Sequence, residues 1–519
     1  MQIPAFNEEA YYSNRINNSS SVVVIPKSSP ELFDSYVRLF QSDGYKIAEE
    51  YERGQNSFCA LRGDSSSAYI NYYGNLGEIT VVTETNADYF DFSAPLLSKS
   101  LPPQITQIHL EDFGMSYAIR ISDGRFIIID GGREFTPDAN RLFECLKSTS
   151  PHEKPIIAAW IMTHPHSDHF HCFLEFFDLY SDEVVFERFM YTFPEHDDVA
   201  HYPSVTAKNS RFEDSSIFTN VPRMKERIAK TEAKTYSPHT GQHYNIGDAS
   251  IDVLASIDDT IHRSPNINAT SLVLRMELGG QVILWGADAT FSEISLPEKY
   301  GDFLKSDILQ IPHHGFQSGT AEAEIKGYKI IAPSVCLLPV SDFNAFTVMG
   351  TYREATRFLM TDAGVDEIIS GDLTRTLTLP YKADSEAKNV LRRKYLRGRA
   401  NAGSTTWVFT NLSTANEEDF EFTLLNMTSY AAKVEIELFF ENSSYDLRYI
   451  ETEAPRISIK TLSIIGSEVD GDARYFNWMS LKELGVPENE SFAVRFIADK
   501  PIVVSHKNHA PAYVSPISE

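Results

Sequence analysis

The run Thr163-His164-Pro165-His166-Ser167-Asp168-His169 places four potential metal ligands within six positions. Imidazole and carboxylate together suit zinc and, less selectively, manganese or iron. His164 and His166 are two apart and can chelate one ion from the same side. Asp168 and His169 lie just beyond, on a turn, and can reach a second ion. With fifteen histidines in 519 residues, three within six positions form a pattern rather than an accident. Ions held this way activate water near neutral pH and polarise a carbonyl or phosphoryl oxygen.

These side chains need rigid elements to aim them. The apolar run Ile156 to Met162 reads as a buried strand, too short for a helix, that delivers the cluster at its end. Upstream, Ser116 to Ile121 and Arg125 to Ile129 read as strands paired through Ser122-Asp123-Gly124. The second runs into Asp130-Gly131-Gly132, and a helix is expected over Ala139 to Lys147. Residues 173 to 245 are long, polar and aromatic-rich. They read as an insertion shaping a substrate cleft, with a helix over Val221 to Thr235 and with His196, His201, His239 and His243 as solvated loop histidines. Cys172 reads as a packing residue. Asn268 to Asp288 reads as a hairpin turning at Gly279-Gly280, its second strand closing in Gly286-Ala287-Asp288. A further strand over Asp307 to Ile311 leads into Pro312-His313-His314-Gly315, where alternation puts the two histidines on opposite sides.

The complete His-x-His-x-Asp-His pattern of 164 to 169 resembles the signature of the metallo-β-lactamase-fold hydrolase superfamily. The resemblance covers about residues 105 to 382 and implies an α/β fold, an αββα sandwich with two divalent ions, zinc first and manganese or iron as alternatives. It implies that His164 and His166 hold the first ion and that Asp168 and His169 hold the second. Asp130 would buttress the metal loop. Asp288 would bridge the ions, which repel at roughly 3.5–4 Å unless an anion lies between them. His314 would complete the second site, leaving His313 to face substrate or assist the leaving group. Asn268 stands where many members carry a third histidine for the first ion, and His262 could compensate from the preceding loop. The motifs from Asn268 to Gly315 look like the branch containing the hydrolase domain of DNA-uptake competence proteins, and are similar to bacterial phosphorylcholine esterases.

A chain of this length should hold two or three domains. Residues 1 to 104 read as a small α+β domain, with Ser29-Pro30 starting a helix whose Leu32, Phe33, Tyr36, Val37 and Phe40 recur at helical spacing. Its role as a cap or an oligomerisation surface is left open. Residues 383 to 402 form a linker with a basic run from Lys388 to Arg399, read as a solvated helix. Residues 403 to 519 read as a β-sandwich. There Trp407 to Asn411, Glu437 to Glu441 and Pro501 to His506 resemble the small sensory-rhodopsin-transducer family, implying a module for a protein partner or for homo-oligomer contacts. The four cysteines form no C-x-x-C pair, which argues against a thiolate zinc site. No run of 18 apolar residues and no basic-then-apolar leader occurs, so an unanchored cytoplasmic protein is expected.

The expected activity is metal-dependent hydrolysis of a phosphodiester in a small or lipid-like anionic substrate, with Asp168 orienting the nucleophile and His313 protonating the leaving oxygen. The net charge of −26 works against binding of long nucleic acid, which needs a basic track. Carboxylic ester, lactone or β-lactam hydrolysis is the alternative within enzymes. A metal-containing sensor or scaffold with a partner-binding sandwich is the alternative of another class. Diiron oxygen reduction is disfavoured, because His166 stands where that branch usually carries Glu.

Overall fold

The computed structural model describes residues 12–16, 19–193, 219–260, 267–289, 291–316, 320–340, 358–359, 363–383, 404–415, 417–426, 432–441, 447–454, 458–463, 489–506 and 508–514. His196, His201, His262 and the linker from 384 to 402 lie outside them. The chain divides into two compact units, one within Met1–Asp342 and Asp362–Asp384, the other within Phe343–Thr361 and Ser385–Glu519.

The first unit opens with β1 (Tyr12–Arg15), β2 (Ser20–Pro26), α1 (Pro30–Ser42), β3 (Lys46–Arg53), β4 (Asn56–Arg62), β5 (Ser67–Tyr73) and β6 (Glu78–Glu84), in a sheet of order β1-β2-β6-β5-β4-β3. Ser29 caps α1 through its hydroxyl, which accepts from Leu32 N. The helix lays Phe33, Tyr36, Val37 and Phe40 on one face of this sheet, against Val23, Leu61, Ile70 and Val81. The other face, with Val22, Val24, Tyr69 and Val82, merges into the core of the larger sheets.

Two such sheets follow. The first contains β7 (Gln104–Gln107), β8 (Ser116–Arg120), β9 (Phe126–Asp130), β10 (Ile156–Ile161), β11 (Val185–Phe186), β12 (Arg188–Met190) and β13 (Lys234–Tyr236), and later receives β21 (Arg375–Thr378). The second contains β14 (His243–Ile246), β15 (Ala249–Ala255), β16 (Val273–Leu278), β17 (Gln281–Trp285), β18 (Ile308–Gln310), β19 (Val335–Leu338) and β20 (Glu367–Ser370), in that order. Between them they make a mixed α/β unit with one shared core. The sequence of β9 shows how: Ile127 and Ile129 enter the core between the sheets, while Phe126 and Ile128 face helices. A strand buried on both faces has no polar alternation to keep, hence its unbroken apolar run. The helices on that outer face are α2 (Thr136–Thr149) and α4 (Cys172–Tyr180), with the single-turn α3 (Ser167–Phe170) preceding the latter. Cys172 is fully buried there, as a packing residue.

Two local expectations are corrected. Val221 to Thr235 is not one helix: α5 covers Val221–Ile228, and Lys234–Tyr236 instead pairs in parallel with β12. Ladder hydrogen bonds with a neighbouring strand outcompete the helical continuation. His239 is not solvated. It is fully buried, with Nδ1 3.0 Å from both Asp258 oxygens and Nε2 3.4 Å from Glu84. His243 is partly buried on β14 and pairs with Asp252 at 2.8 Å.

His239 belongs to a polar seam between the N-terminal sheet and the second large sheet. Asn71 donates to Thr240 O at 2.8 Å and Asn56 to Lys299 O at 2.7 Å. Asp258 and Asp259 lie on the short α6 (Ile257–Thr260), and Lys299 on α7 (Leu296–Tyr300). Lys299 Nζ contacts Asp259, both side chains being only 1% exposed, and sits 4.4 Å from the Tyr73 ring centroid. Burial opposes a charge on His239, but Asp258 and Glu84 outweigh it and push the ring up to about 10. A proton held more tightly in the folded state stabilises fully below the unfolded value of about 6.5, and that stabilisation is lost as pH rises toward 10. Denaturant midpoints measured from pH 6 to 10 are therefore expected to fall for the wild type and to follow a flatter course for His239→Gln.

The second unit holds β22 (Ser404–Ser413), β23 (Glu421–Asn426), β24 (Ala432–Phe440), β25 (Leu447–Ala454), β26 (Ser458–Ser463), β27 (Ser491–His506) and β28 (Tyr513–Val514), every pairing antiparallel. The sixteen-residue β27 pairs with β24 along its first half, with β23 along its second, and with β22 between Ser491 and Ile502. Phe409, Phe422 and Phe496 pack edge to face in its core.

Candidate metal centre

β9, β10 and β17 end side by side with the turn after β18, and the chemistry-bearing residues lie at these ends. Asp130 closes β9 in the left-handed region, φ 55°. Its carboxylate accepts from Thr163 N at 2.8 Å and Thr163 Oγ1 at 2.8 Å, and faces His169 Nδ1 at 2.8 Å. A carboxylate only accepts, so the proton of His169 sits on Nδ1 and Nε2 turns into the site. Thr163 joins Asp130 to the histidine run, a role the sequence reading did not assign. Its place directly before the first histidine, at the strand end, was the available signal.

Asp288 follows β17, which pairs with β16 through Gly279-Gly280, both in the left-handed conformation that a two-residue hairpin turn requires. Asp288 is 2% exposed, and its two oxygens face different groups. Oδ1 lies 3.2 Å from His169 Nε2 and 3.5 Å from His314 Nε2, whereas Oδ2 lies 3.7 Å from His164 Nε2 and 4.0 Å from His313 Nε2. His314 Nε2 is also 3.2 Å from Asp168 Oδ2, and His164 Nε2 is 3.1 Å from His166 Nδ1. Asp168, His169, Asp288 and His314 thus form one group that could hold a cation. His164, His166 and Asp288 form a second, the ligand atoms of each group lying within 4.8 Å of one another.

The alternation expected of His313 and His314 is not what separates them. β18 ends at Gln310, and both histidines sit in the following turn with left-handed backbones, φ 50° and 53°. His314 is buried, its Nδ1 donating to Pro339 O at 3.2 Å, so its Nε2 faces the two aspartates. The His313 side chain is 22% exposed, with Nε2 3.0 Å from the Asn268 amide nitrogen. Asn268 therefore meets His313.

The fit to a cation rests on donors left over. His169 Nε2, His314 Nε2 and Asp288 Oδ1 are buried and make no hydrogen bond among the described residues, although they face one another at 3.2–3.5 Å. Such groups are costly to bury unless something satisfies them. Imidazole plus carboxylate is a donor set for zinc, manganese or iron. Burial and the neighbouring His169 and His166 hold His164 well below the usual imidazole range. Burial opposes charge on His314, yet Asp288 and Asp168 raise it to about 9. Burial also opposes ionisation of Asp288, and His169 and His314 outweigh it, holding the carboxyl well below its ordinary value.

No family model and no curated protein matches the chain. Among solved structures it is similar to the metallo-β-lactamase-fold protein YhfI from Bacillus subtilis, at 15% identity and TM-score 0.28, over 46% of this chain and 86% of that one. It is also similar to Igni18, a metallo hydrolase from Ignicoccus hospitalis, at 11% identity and TM-score 0.30, over 53% and 98% of the chains. A third likeness, to the Anabaena sensory rhodopsin transducer, has 20% identity and TM-score 0.16, over 20% of this chain and 96% of that one. Likenesses of this extent fix neither activity nor substrate.

Proposed function

We propose that this chain is a dinuclear metal-dependent hydrolase acting on phosphodiesters, belonging to the metallo-β-lactamase-fold superfamily. The observation that carries the reading is the division of the Asp288 carboxylate between two ligand groups, Asp168, His169 and His314 on one side and His164 and His166 on the other. When bound, divalent ions supply Lewis acidity and lower the pKa of water. Asp130 and the Pro339 carbonyl fix the tautomers of His169 and His314, so that both rings would offer Nε2 to a bound ion. Asp168 orients the attacking water.

His313 is the general acid for the leaving oxygen, and Asn268 holds its ring, the amide nitrogen lying 3.0 Å from Nε2. Burial lowers its affinity for that proton against the pull of Asp288, which suits release. His313→Gln is expected to lose roughly 10²–10⁴-fold in turnover of an alkyl leaving group, with little loss on a nitrophenolate and unchanged metal content. Equal losses on both leaving groups would remove the proton-transfer role.

Preference for phosphodiesters draws on the sequence resemblance of the Asn268 to Gly315 stretch. The direct test is metal content together with hydrolysis of bis-p-nitrophenyl phosphate. About two metal ions per chain with turnover support the reading. Metal without turnover moves the activity to carboxylic esters, lactones or β-lactams. No uptake of zinc or manganese by protein purified without chelator overturns it. We read the second unit as a β-sandwich for a protein partner or a second copy of the chain.

A further inference from the structure

Next to the ligand groups stands an arginine that neither the motifs nor the metal chemistry uses. Arg133 follows Asp130-Gly131-Gly132, and its loop is pinned to the histidine run on both sides. Gly132 N donates to His169 O at 2.8 Å, and Cys172 N donates to Gly132 O at 2.8 Å. The guanidinium lies over the Phe113 ring, Cζ 4.5 Å from the centroid. The same ring meets His314 edge-on at 5.6 Å. Nη1 reaches the hydroxyl of Ser167, between His166 and Asp168, at 3.5 Å. One aromatic ring thus separates the arginine from a residue of the Asp288-centred cluster.

The fork of donors is only lightly engaged. Nε is buried and faces Asp112 Oδ2 at 3.3 Å without making a hydrogen bond, and Asp112 is 45% exposed. Ion pairs of that kind are worth little and are readily exchanged. The adjacent Glu134 does not compete, since it is engaged by Arg223 at 2.9 Å. A guanidinium held over an aromatic face and short of strong partners matches the planar, bidentate geometry of a carboxylate or phosphate.

We infer that Arg133, with Phe113 as its platform, reads a second anionic group on the substrate. That group is a carboxylate or phosphate a few bonds from the phosphoryl group that occupies the Asp288-centred site. The second oxyanion takes the place of Asp112 on the guanidinium. The substrate class narrows accordingly, from phosphodiesters at large to those whose non-leaving alcohol carries an oxyanion of its own.

The inference rests on reading the Asp288-centred cluster as a metal centre that takes a phosphoryl group, and its test uses ligands that cannot be hydrolysed. Calorimetric titration of the zinc-loaded full chain compares butylphosphonate, 4-phosphonobutyrate and propane-1,3-diphosphonate. The wild type is expected to bind at least one doubly anionic ligand about tenfold or more tightly than butylphosphonate. A carboxylate is assigned if 4-phosphonobutyrate is the tighter, a phosphate if the diphosphonate is. Arg133→Met is expected to erase the preference without changing zinc content or the affinity for butylphosphonate, and Arg133→Lys to retain part of it. Equal binding of all three ligands by the wild type overturns the inference, as does a preference that survives Arg133→Met. Failure of a zinc-loaded chain to bind any phosphonate overturns it together with the reading that the centre takes a phosphoryl group. A preference without turnover of phosphodiesters sustains the inference and removes only the proposed activity.

Discussion

Asp288→Ala is expected to abolish hydrolysis and to lower bound metal at both positions at once. Each of its oxygens faces a different candidate ligand group, so on the proposed reading truncation would remove a ligand from each and the anion that would let two cations lie close together. Changes to residues that merely support metal ligands cost roughly 10–100-fold in affinity or activity, and loss of a shared ligand should exceed that. The variant should also differ from His164→Ala, which removes a side chain from one group only. Metal analysis after dialysis against a weak chelator separates the two. A variant at Asp288 that keeps both metals would show that the carboxylate does not join the groups.

The second large effect is on stability. Lys299→Met is expected to cost about 3–5 kcal/mol, because it leaves the Asp259 carboxylate buried without its cation. Burial opposes ionisation of Asp259, while Lys299 and the hydroxyl of Thr240 hold its pKa below the ordinary value. The double variant Lys299→Met, Asp259→Asn should recover part of the loss, since Thr240 and Ser256 retain a hydrogen-bonding partner. Denaturant midpoints at an unchanged slope read this directly. The seam joins the N-terminal sheet to the second large sheet, so one cooperative transition is expected for the first unit. A loss under about 1 kcal/mol would place the pair among exposed ones in effect, against its 1% exposure.

What was legible in the sequence was local. The histidine run, the Gly279-Gly280 hairpin and the capped α1 each write their geometry into neighbouring positions, through ligand spacing, turn residues and helical periodicity. What escaped depends on distant partners. Nothing around His239 announces Glu84, which arrives from another sheet, so the residue looked like one more polar loop position. Val221, Met224 and Ile228 recur at helical spacing, and it is the edge of β12 that takes up the following Lys234–Tyr236 as a strand. His313 and His314 follow an apparent strand, but the proline at 312 and two left-handed residues turn the chain before alternation can act. Arg133 carried no motif at all, and its interest comes from Phe113, twenty residues upstream.

Four of the eight non-glycine residues with left-handed backbone among those described, Asp130, Ala287, His313 and His314, are ligand candidates, their buttress or their direct neighbour. Each such conformation costs of order 1–3 kcal/mol and persists only where surrounding structure over-determines it. Here the strand ends supply that constraint, so the disorder surrendered in arranging the ligands is surrendered when the chain folds and not when an ion arrives. The cluster therefore behaves as a fixed mould. Such a mould would select among cations by size and preferred angles, since an ion that wants a different arrangement would have to strain the ends of several strands together.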